Sequence, residues 1–456
     1  MSLSGLLSIA RTALLTQQKA IDTSGHNIAN ASTEGFSRQR LMLEPEVPLN
    51  TPVGQLGRGV TASGIQRVRD QFLDATFRSE NGDLGRYQTT QDLLTQVQGV
   101  FGEPSDTGIA AGIDQLFSAF GDLANDPTGK TPRTLVQQAA TALTQQFQSA
   151  DRRIGEIGAD VVTRIRSAVD SINTTVQQIA QLNVQMRGTG AGLHGAPDLE
   201  DQRDKLVDSL SNQVGVRVID RGDGTIAVTA GDALLVDGGQ STSLDVRDLG
   251  NGAFGVGMHG AAGTISLRSG SLASLVELSG TTIPGVRKQL NQLASGIVTE
   301  VNRIHAGGRT LTGATGVPFF DPTGLTAASF SLSAQVSLST DNIAAGQSGG
   351  AGDNAAALAI SQLRTTGVPS FGGSTFGAAY QQLVADLGGK ISAATQSATA
   401  QDTVVSQADT LRKSVSGVSI DEEMTNVIAQ QNAFAAAARL VNVADQMMQS
   451  VIAMVQ

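Results

Sequence analysis

The sequence predicts a mainly α protein with a small β insertion, in which the two termini form a coiled coil, long helices form an elongated body, and a small β-rich outer domain branches from it. Three observations carry this expectation. Apolar residues recur at alternating steps of three and four at both ends of the chain, a long interior seam does the same without a polar interruption, and β-type alternation is confined to one stretch.

The N-terminal seam is Leu3, Leu7, Ala10, Leu14, Gln17, Ile21, Ser24 and Ile28. A polar, helix-breaking segment, "HNIANASTEGFSRQR" from His26 to Arg40, follows it directly. Helical patterns then cover about residues 64 to 100 and 109 to 125. From Leu143 a seam runs through Phe147, Ala150, Ile154, Ile157, Val161, Ile165, Ala168, Ile172, Val176 and Ile179 to Leu182, which implies one rod-like helix. Another helix is expected over 198 to 212. Val214, Val216 and Val218 alternate, Asp223-Gly224 turns with type I′ chemistry, and Ile226 and Val228 resume, so a hairpin is expected there, with short strands continuing to about Leu267. Helices follow at 271 to 306 and 376 to 415. Between them a strand pair is expected from Phe330 to Thr340, after the loop around Pro318 and Pro322.

The last helix is punctuated by Gly417 and opened by Ser419 and Glu422, spaced as a capping box. Its seam is Ile420, Met424, Val427, Gln431, Phe434, Ala438, Val441, Asp445, Met448, Ile452 and Val455, broken only by Gln431 and Asp445. Ala433 and Ala435 to Ala438 permit close approach of a neighbouring helix. These stripes are narrower than a globular core demands, so the termini are expected to pair with each other and with other subunits. The domain division expected is 1–62 with 395–456 as the terminal coiled coil, 63–212 with 270–394 as the helical body carrying the small strand pair, and 213–269 as the β-rich insertion.

Composition excludes several functions. Aromatic residues make up 4% and Trp is absent, which predicts a thin, aliphatic core. A net charge of -10 and a pI near 4.9 argue against binding nucleic acid, because phosphates would go unneutralised. Without cysteine there are no disulfides, thiolate metal sites or thiol nucleophiles. The N-terminus lacks the basic start and cleavage site of a secretory signal, and no apolar run reaches membrane-spanning length.

Catalytic constellations are equally scarce. "GAGLHG", Gly190 to Gly195, matches G-x-G-x-x-G in letters but follows a helix instead of a strand, and reads as a flexible connection. His26, His194, His259 and His305 are far apart in sequence and read as surface or loop residues. Asp421, Glu422 and Glu423 sit where a helix start favours negative charge. The triplets beginning at Asn30 and Asn173 match glycosylation sequons, a match short enough to arise by chance. No enzymatic activity, cofactor or metal site is expected.

"IANASTEGFSRQ", Ile28 to Gln39, resembles the signature that follows the first helix in the hook-associated protein 1 family of flagellar axial proteins. "GVSIDEEMTNVIAQQNAFAAAARLV", Gly417 to Val441, is similar to that family's closing segment. "DLEDQRDKLVDSLS", Asp198 to Ser211, and "VNRIHAGGRTLTGATGVPFF", Val301 to Phe320, resemble two interior segments of it. Rod and hook proteins share the A-N-x-x-T-x-G part, while the S-R-Q continuation and the D-E-E-M segment are more specific. Phe36 and Phe434 stand where an aromatic, often Tyr, is expected, and the β insertion is short for the family.

The resemblance implies a structural subunit that joins hook to filament at the hook tip. It would be exported unfolded through the type III channel without a cleaved signal, with a chaperone holding the C-terminal helix. It would then add as a ring of like subunits that contacts hook protein and a second junction protein. A rod, hook or filament subunit is the alternative. The assembly interface this implies comprises Leu3, Leu7, Leu14, Ile21, Asn27, Ile28, Asn30, Thr33, Gly35, Phe36, Ser37 and Arg38 at the N-terminal end. At the C-terminal end it comprises Met424, Val427, Phe434, Ala438, Val441, Met448, Ile452 and Val455. Within the loop, Asn27 and Asn30 are expected to bond backbone groups at the helix end, Gly35 to allow a conformation other residues resist, Phe36 to anchor, and Arg38 to offer its fork at a subunit contact.

Overall fold

Lys130–Gly188 is one uninterrupted helix of 59 residues, about 90 Å long at 1.5 Å per residue. Its core-facing stripe is the expected one: Leu143, Phe147, Ile154, Val161, Ile165, Ile172 and Ile179 are fully buried. The computed structural model describes residues 3–51, 54–102, 107–188, 196–250, 252–350 and 352–455. Against this rod helix pack the helices Gln71–Phe101, Ile109–Asn125 and Ile283–Ala306, and Phe376–Ser416 packs on those three. Gln71–Phe101 lies along Phe376–Ser416 for much of its length.

The aromatic residues are few but gathered. Phe120, Phe147, Phe319, Phe320 and Phe330 form a continuous chain of ring contacts with centroids 4.7 to 5.2 Å apart, and Phe117 stacks on Phe376 at 5.8 Å. The core is therefore thick and aromatic here, where composition suggested a thin aliphatic one, because composition averages over the whole chain.

Two further expectations are corrected in this region. Residues 330 to 340 form no strand pair: Ala334–Leu338 is a short helix capped by Ser333, and the only pairing there is a single bridge between Phe320 and Leu332. The Phe330 run has strand-like alternation because it feeds one aromatic side chain into the core, not because it sits in a ladder. His305 is not a surface residue. It is fully buried, Ala344 N–H donates to its Nε2 at 2.8 Å, and its Nδ1 lies 2.8 Å from Val317 O. Burial pushes its pKa down to about 4.

The β insertion forms a four-stranded antiparallel sheet of Val216–Asp220, Ile226–Ala230, Ala233–Asp237 and Gln240–Ser241, followed by the hairpin of Leu244–Gly250 and Ala253–Met258. The hairpin expected at Asp223-Gly224 exists, but its connection spans residues 221–225 and not a two-residue turn, with left-handed Gly222 and Gly224. Two asparagines of the rod helix hold the insertion. Asn183 bonds Ile226 N, Ile226 O and Gly238 O, and Asn173 bonds both backbone groups of Leu244. Asn173, noted above only as a sequon, is thus occupied in docking.

Strands also occur where none was expected. The chain leaving the N-terminal helix (Leu3–Ala29) pairs Gln39–Pro45 with Val60–Arg67, tipped by a smaller pair, Leu49–Thr51 with Gly54–Leu56. The helix anticipated from residue 64 begins at Gln71, where Asp70 caps Phe72 N and Leu73 N. This arm lies against the N-terminal helix: Thr16 donates to Val60 O, and a side chain at Gly59 would strike Thr12 Oγ1 at 2.5 Å.

Candidate functional site

The N-terminal helix packs along the C-terminal helix, Ile420–Val455. Arg38, just past the first helix, donates its backbone N–H to Ser416 O, just before the last, so the two helices run antiparallel. Small side chains line their contact. Ala10, Thr23, Ser24 and Asn27 are buried on one side, and Glu423, Ala437 and Ala444 on the other, with Val427, Gln430 and Val441 half-buried between them.

The C-terminal line of contact thus steps through 423, 427, 430, 434, 437, 441 and 444. It has the expected spacing, but is rotated relative to the expected seam. Val427, Val441 and the edge of Phe434 lie on it and Ala438 lies beside it; Met424 sits on a flank, whereas Met448 and Ile452 continue the same line past Ala444 and are exposed there. The physical reason is size. Alanines let two backbones approach closely, and Met424 beside them is then left at the rim. On the N-terminal helix Leu7, Leu14, Ile21 and Ile28 are half-buried. Leu3 and Val455 have side chains outside the described residues, as do "GAGLHG" and His194.

The loop after the first helix is fastened within the chain. Asn27, 1% exposed, clamps the backbone of Gln39 through both ends of its amide, at 2.8 and 2.9 Å, and so ties the loop exit to the helix instead of capping the helix. Asn30 does serve the helix end, donating to His26 O, and receives Thr33 Oγ1. Gly35 has φ of +83°, the conformation its lack of a side chain permits. Phe36 is half-buried edge-on to the His26 ring, and Ser37 donates both its N–H and its hydroxyl to Asp201.

Arg38 spends its fork inside the chain. Its Nε donates to Glu423 Oε1 at 2.7 Å and its terminal nitrogen to Glu422 Oε2 at 2.9 Å, where a contact between subunits was expected. The capping box is accordingly half-formed: Ser419 Oγ accepts from Glu422 N at 3.5 Å, and the Glu422 carboxylate is taken by Arg38.

Beneath the loop lies a charged ladder that the sequence reading passed over. Asp198, Glu200, Asp201, Asp204 and Asp208 project from the helix Pro197–Gln213. Arg67 bonds Glu200, Asp201 and Asp204, Arg69 bonds Asp204 and Asp74, Arg78 bonds Asp204 and Asp208, and Arg412 bonds Asp208 while lying over the Phe77 ring at 3.9 Å. Burial alone would raise the pKa of Asp204, but the charges of Arg67, Arg69 and Arg78 overcome it and hold that carboxyl well below the usual range. Arg67 is driven the other way: burial disfavours its charge, and Asp204 and Glu200 more than restore it. The signal for this ladder was available, because acids at 198, 201, 204 and 208 step at helical spacing along one face.

What the described residues lack in chemistry they show in surface. No group of His, Asp or Glu side chains among them could hold a metal ion, and no helix of theirs is long and apolar enough to cross a membrane. The C-terminal helix, in contrast, exposes Ile420, Met424 and Ile428 on one flank and Leu440, Val443, Met447, Val451 and Met454 on another, each at least 43% exposed. Such a concentration of large apolar side chains in water marks a contact surface.

Comparison with known proteins agrees with this geometry. Residues 94–320 match the family described as flagellar hook-associated protein FlgK helical domain, residues 404–454 the flagellar basal body rod FlgEFG protein C-terminal family, and residues 7–36 the flagella basal body rod protein family. Flagellar hook-associated protein 1 of Bacillus subtilis (strain 168) is 29% identical over 98% of this chain and 97% of its own. The protein of the same name from Escherichia coli (strain K12) is 24% identical over 99% and 100%. The flagellar hook junction protein FlgK from Burkholderia pseudomallei superposes with a TM-score of 0.67 at 17% identity, covering 75% of this chain and 100% of that one, which shows a common fold.

Proposed function

Since the chain belongs to the hook-associated protein 1 family of flagellar axial proteins, we propose that it is a structural subunit of the flagellum that joins hook to filament. The observation that carries this reading is the pair of exposed apolar flanks on a helix already packed along its third side against the N-terminal helix. Their centres lie about 35 Å apart along the axis. Two different flanks address two different neighbours, the head-to-tail contact from which rings and tubes of like subunits are built.

Met424, Met448 and Ile452 supply direct contacts in this reading. Leu7, Leu14, Ile21, Ile28, Val427, Phe434, Ala438 and Val441 hold the helix pair whose rim neighbours meet. Asn27, Asn30, Thr33, Gly35, Phe36, Ser37 and Arg38 shape the loop that fixes this pair on the body. The partners are hook protein on one side, a second junction protein on the other, and an export chaperone on the C-terminal helix before assembly. Export proceeds through the type III channel without a cleaved signal, and the absence of cysteine suits that passage.

The test is deletion of the gene in its host, with electron microscopy of the cell surface and an assay for free flagellin in the medium. Hooks without filaments, together with leaked flagellin, are the expected result. Missing hooks would move the chain to the rod or hook, and normal flagella would refute the assignment.

A further inference from the structure

The chain has eight methionines and no cysteine, so its most readily oxidised side chains are thioethers. Their exposure is uneven. Met186 is fully buried with its sulfur 3.4 Å from an Arg203 nitrogen, and Met258 is half-buried. Met42 and Met424 are 42% and 48% exposed, and Met447, Met448 and Met454, grouped within the last turns of the C-terminal helix, are 52%, 40% and 84% exposed.

Two of the three belong to the continuous apolar stripe Leu440, Val443, Met447, Val451 and Met454. A sulfoxide at either position places a strongly polar oxygen in the middle of that stripe. We propose that Met447, Met448 and Met454 form a peroxide-sensitive modification site: their oxidation before the chain is incorporated blocks its addition to the assembly, and reduction of the sulfoxides restores it. The proposal rests on the assembly reading above.

The chemistry is a direct oxygen transfer. The thioether sulfur attacks one oxygen of hydrogen peroxide, the S–O bond forms as the O–O bond breaks, sulfur is oxidised by one electron pair, and the peroxide leaves as water. No protein nucleophile or cofactor takes part, so solvent access decides which sulfur reacts. Once neighbours cover the stripe the same sulfurs are shielded, which confines sensitivity to the free chain.

The test treats the full-length chain with hydrogen peroxide, maps sulfoxides by peptide mass spectrometry, and measures loading onto hook particles purified from cells that lack the chain. Sulfoxides are expected at the exposed Met42, Met424, Met447, Met448 and Met454 well before the buried Met186. The concentration needed for loading is expected to rise about tenfold or more, since burying one methionine is worth at least that factor. Methionine sulfoxide reductases should reverse the loss. A Met447→Leu, Met448→Leu, Met454→Leu chain, which keeps the volume and removes the sulfur, should lose none of its own untreated loading on exposure to peroxide, whatever that untreated level is. Unchanged loading of the oxidised natural chain overturns the proposal, as does a leucine variant that peroxide still disables, which would place the sensitive sulfur at Met42 or Met424. An untreated chain that fails to load hooks refutes the assembly reading itself, and this site with it.

Discussion

Acidification to about pH 5 should destabilise the body of this protein through His305. The imidazole is buried with both nitrogens engaged: Nε2 accepts from Ala344 N–H, so the proton resides on Nδ1, which donates to Val317 O. A second proton would strip Ala344 of its acceptor and place a buried charge near the Arg133 guanidinium, itself inserted among the carbonyls of Pro127 and Ile343. The folded pKa, about 4, lies below the ordinary 6.5. Between these values the unfolded chain binds more protons, so stability is complete above about pH 6.5 and falls as the pH drops toward 4. At about pH 5 the loss relative to neutral pH is about 2 kcal/mol, from the ratio of the two protonation polynomials. The carboxyl of Asp204, held below the usual 3.8, adds its own loss only at still lower pH. Urea unfolding at about pH 7.5 and pH 5 measures the difference, and a His305→Gln chain, which has no proton to gain there, should be less stable at neutral pH but lose most of the pH dependence. A folded-state NMR titration of His305 with a midpoint near 6.5 would show the reasoning to be wrong.

Other perturbations have equally definite outcomes. Arg38→Ala strands Glu423, whose side chain is 3% exposed, and should cost about 2 to 3 kcal/mol, less than a fully buried pair because Arg38 is itself 27% exposed; faster hydrogen exchange at residues 420 to 430 reads the effect. Asp204→Asn leaves Arg67, Arg69 and Arg78 converging on a neutral group and should cost about 3 to 5 kcal/mol in urea unfolding. Asn183→Leu orphans Ile226 N and Gly238 O, and should cost about 2 to 3 kcal/mol, with amide exchange rising in the strands Ile226–Ala230 and Ala233–Asp237 before the rod helix responds. Gly59→Ala should loosen the strand arm from the N-terminal helix, since the left-handed backbone and the 2.5 Å approach to Thr12 Oγ1 both oppose a side chain; limited proteolysis between residues 40 and 66 is the readout.

The parts of the fold legible in sequence are those where burial and periodicity coincide. The rod helix buries an aliphatic residue at nearly every third or fourth position, so its stripe could be read residue by residue from Leu143 to Ile179. The arm between Gln39 and Arg67 could not, because most of its residues are exposed on both faces and no alternation survives. His305 was misread for a related reason: one histidine on a helix gives no sign of whether loops from Val317 and Ala344 will close over it. The charged ladder is a different case, since its acids were visible at helical spacing while their arginine partners came from segments as remote as Arg67 and Arg412.

The terminal seam shows what such readings miss when the hydrophobic pattern serves more than one partner. Choosing the largest apolar residue at each step selects a stripe through Met424, Met448 and Ile452, while the chain's own helix pair is closed by Ala437 and Ala444 and by Glu423 on Arg38. If the large residues served the internal pair, their exposure of 40% or more would be a solubility cost with no return. Assigned instead to neighbouring subunits, they leave the single chain with a close but weak internal seam and a strong external one. In the proposed assembly, that division lets the chain hold its terminal helices together alone and commit their exposed flanks only on meeting a neighbour.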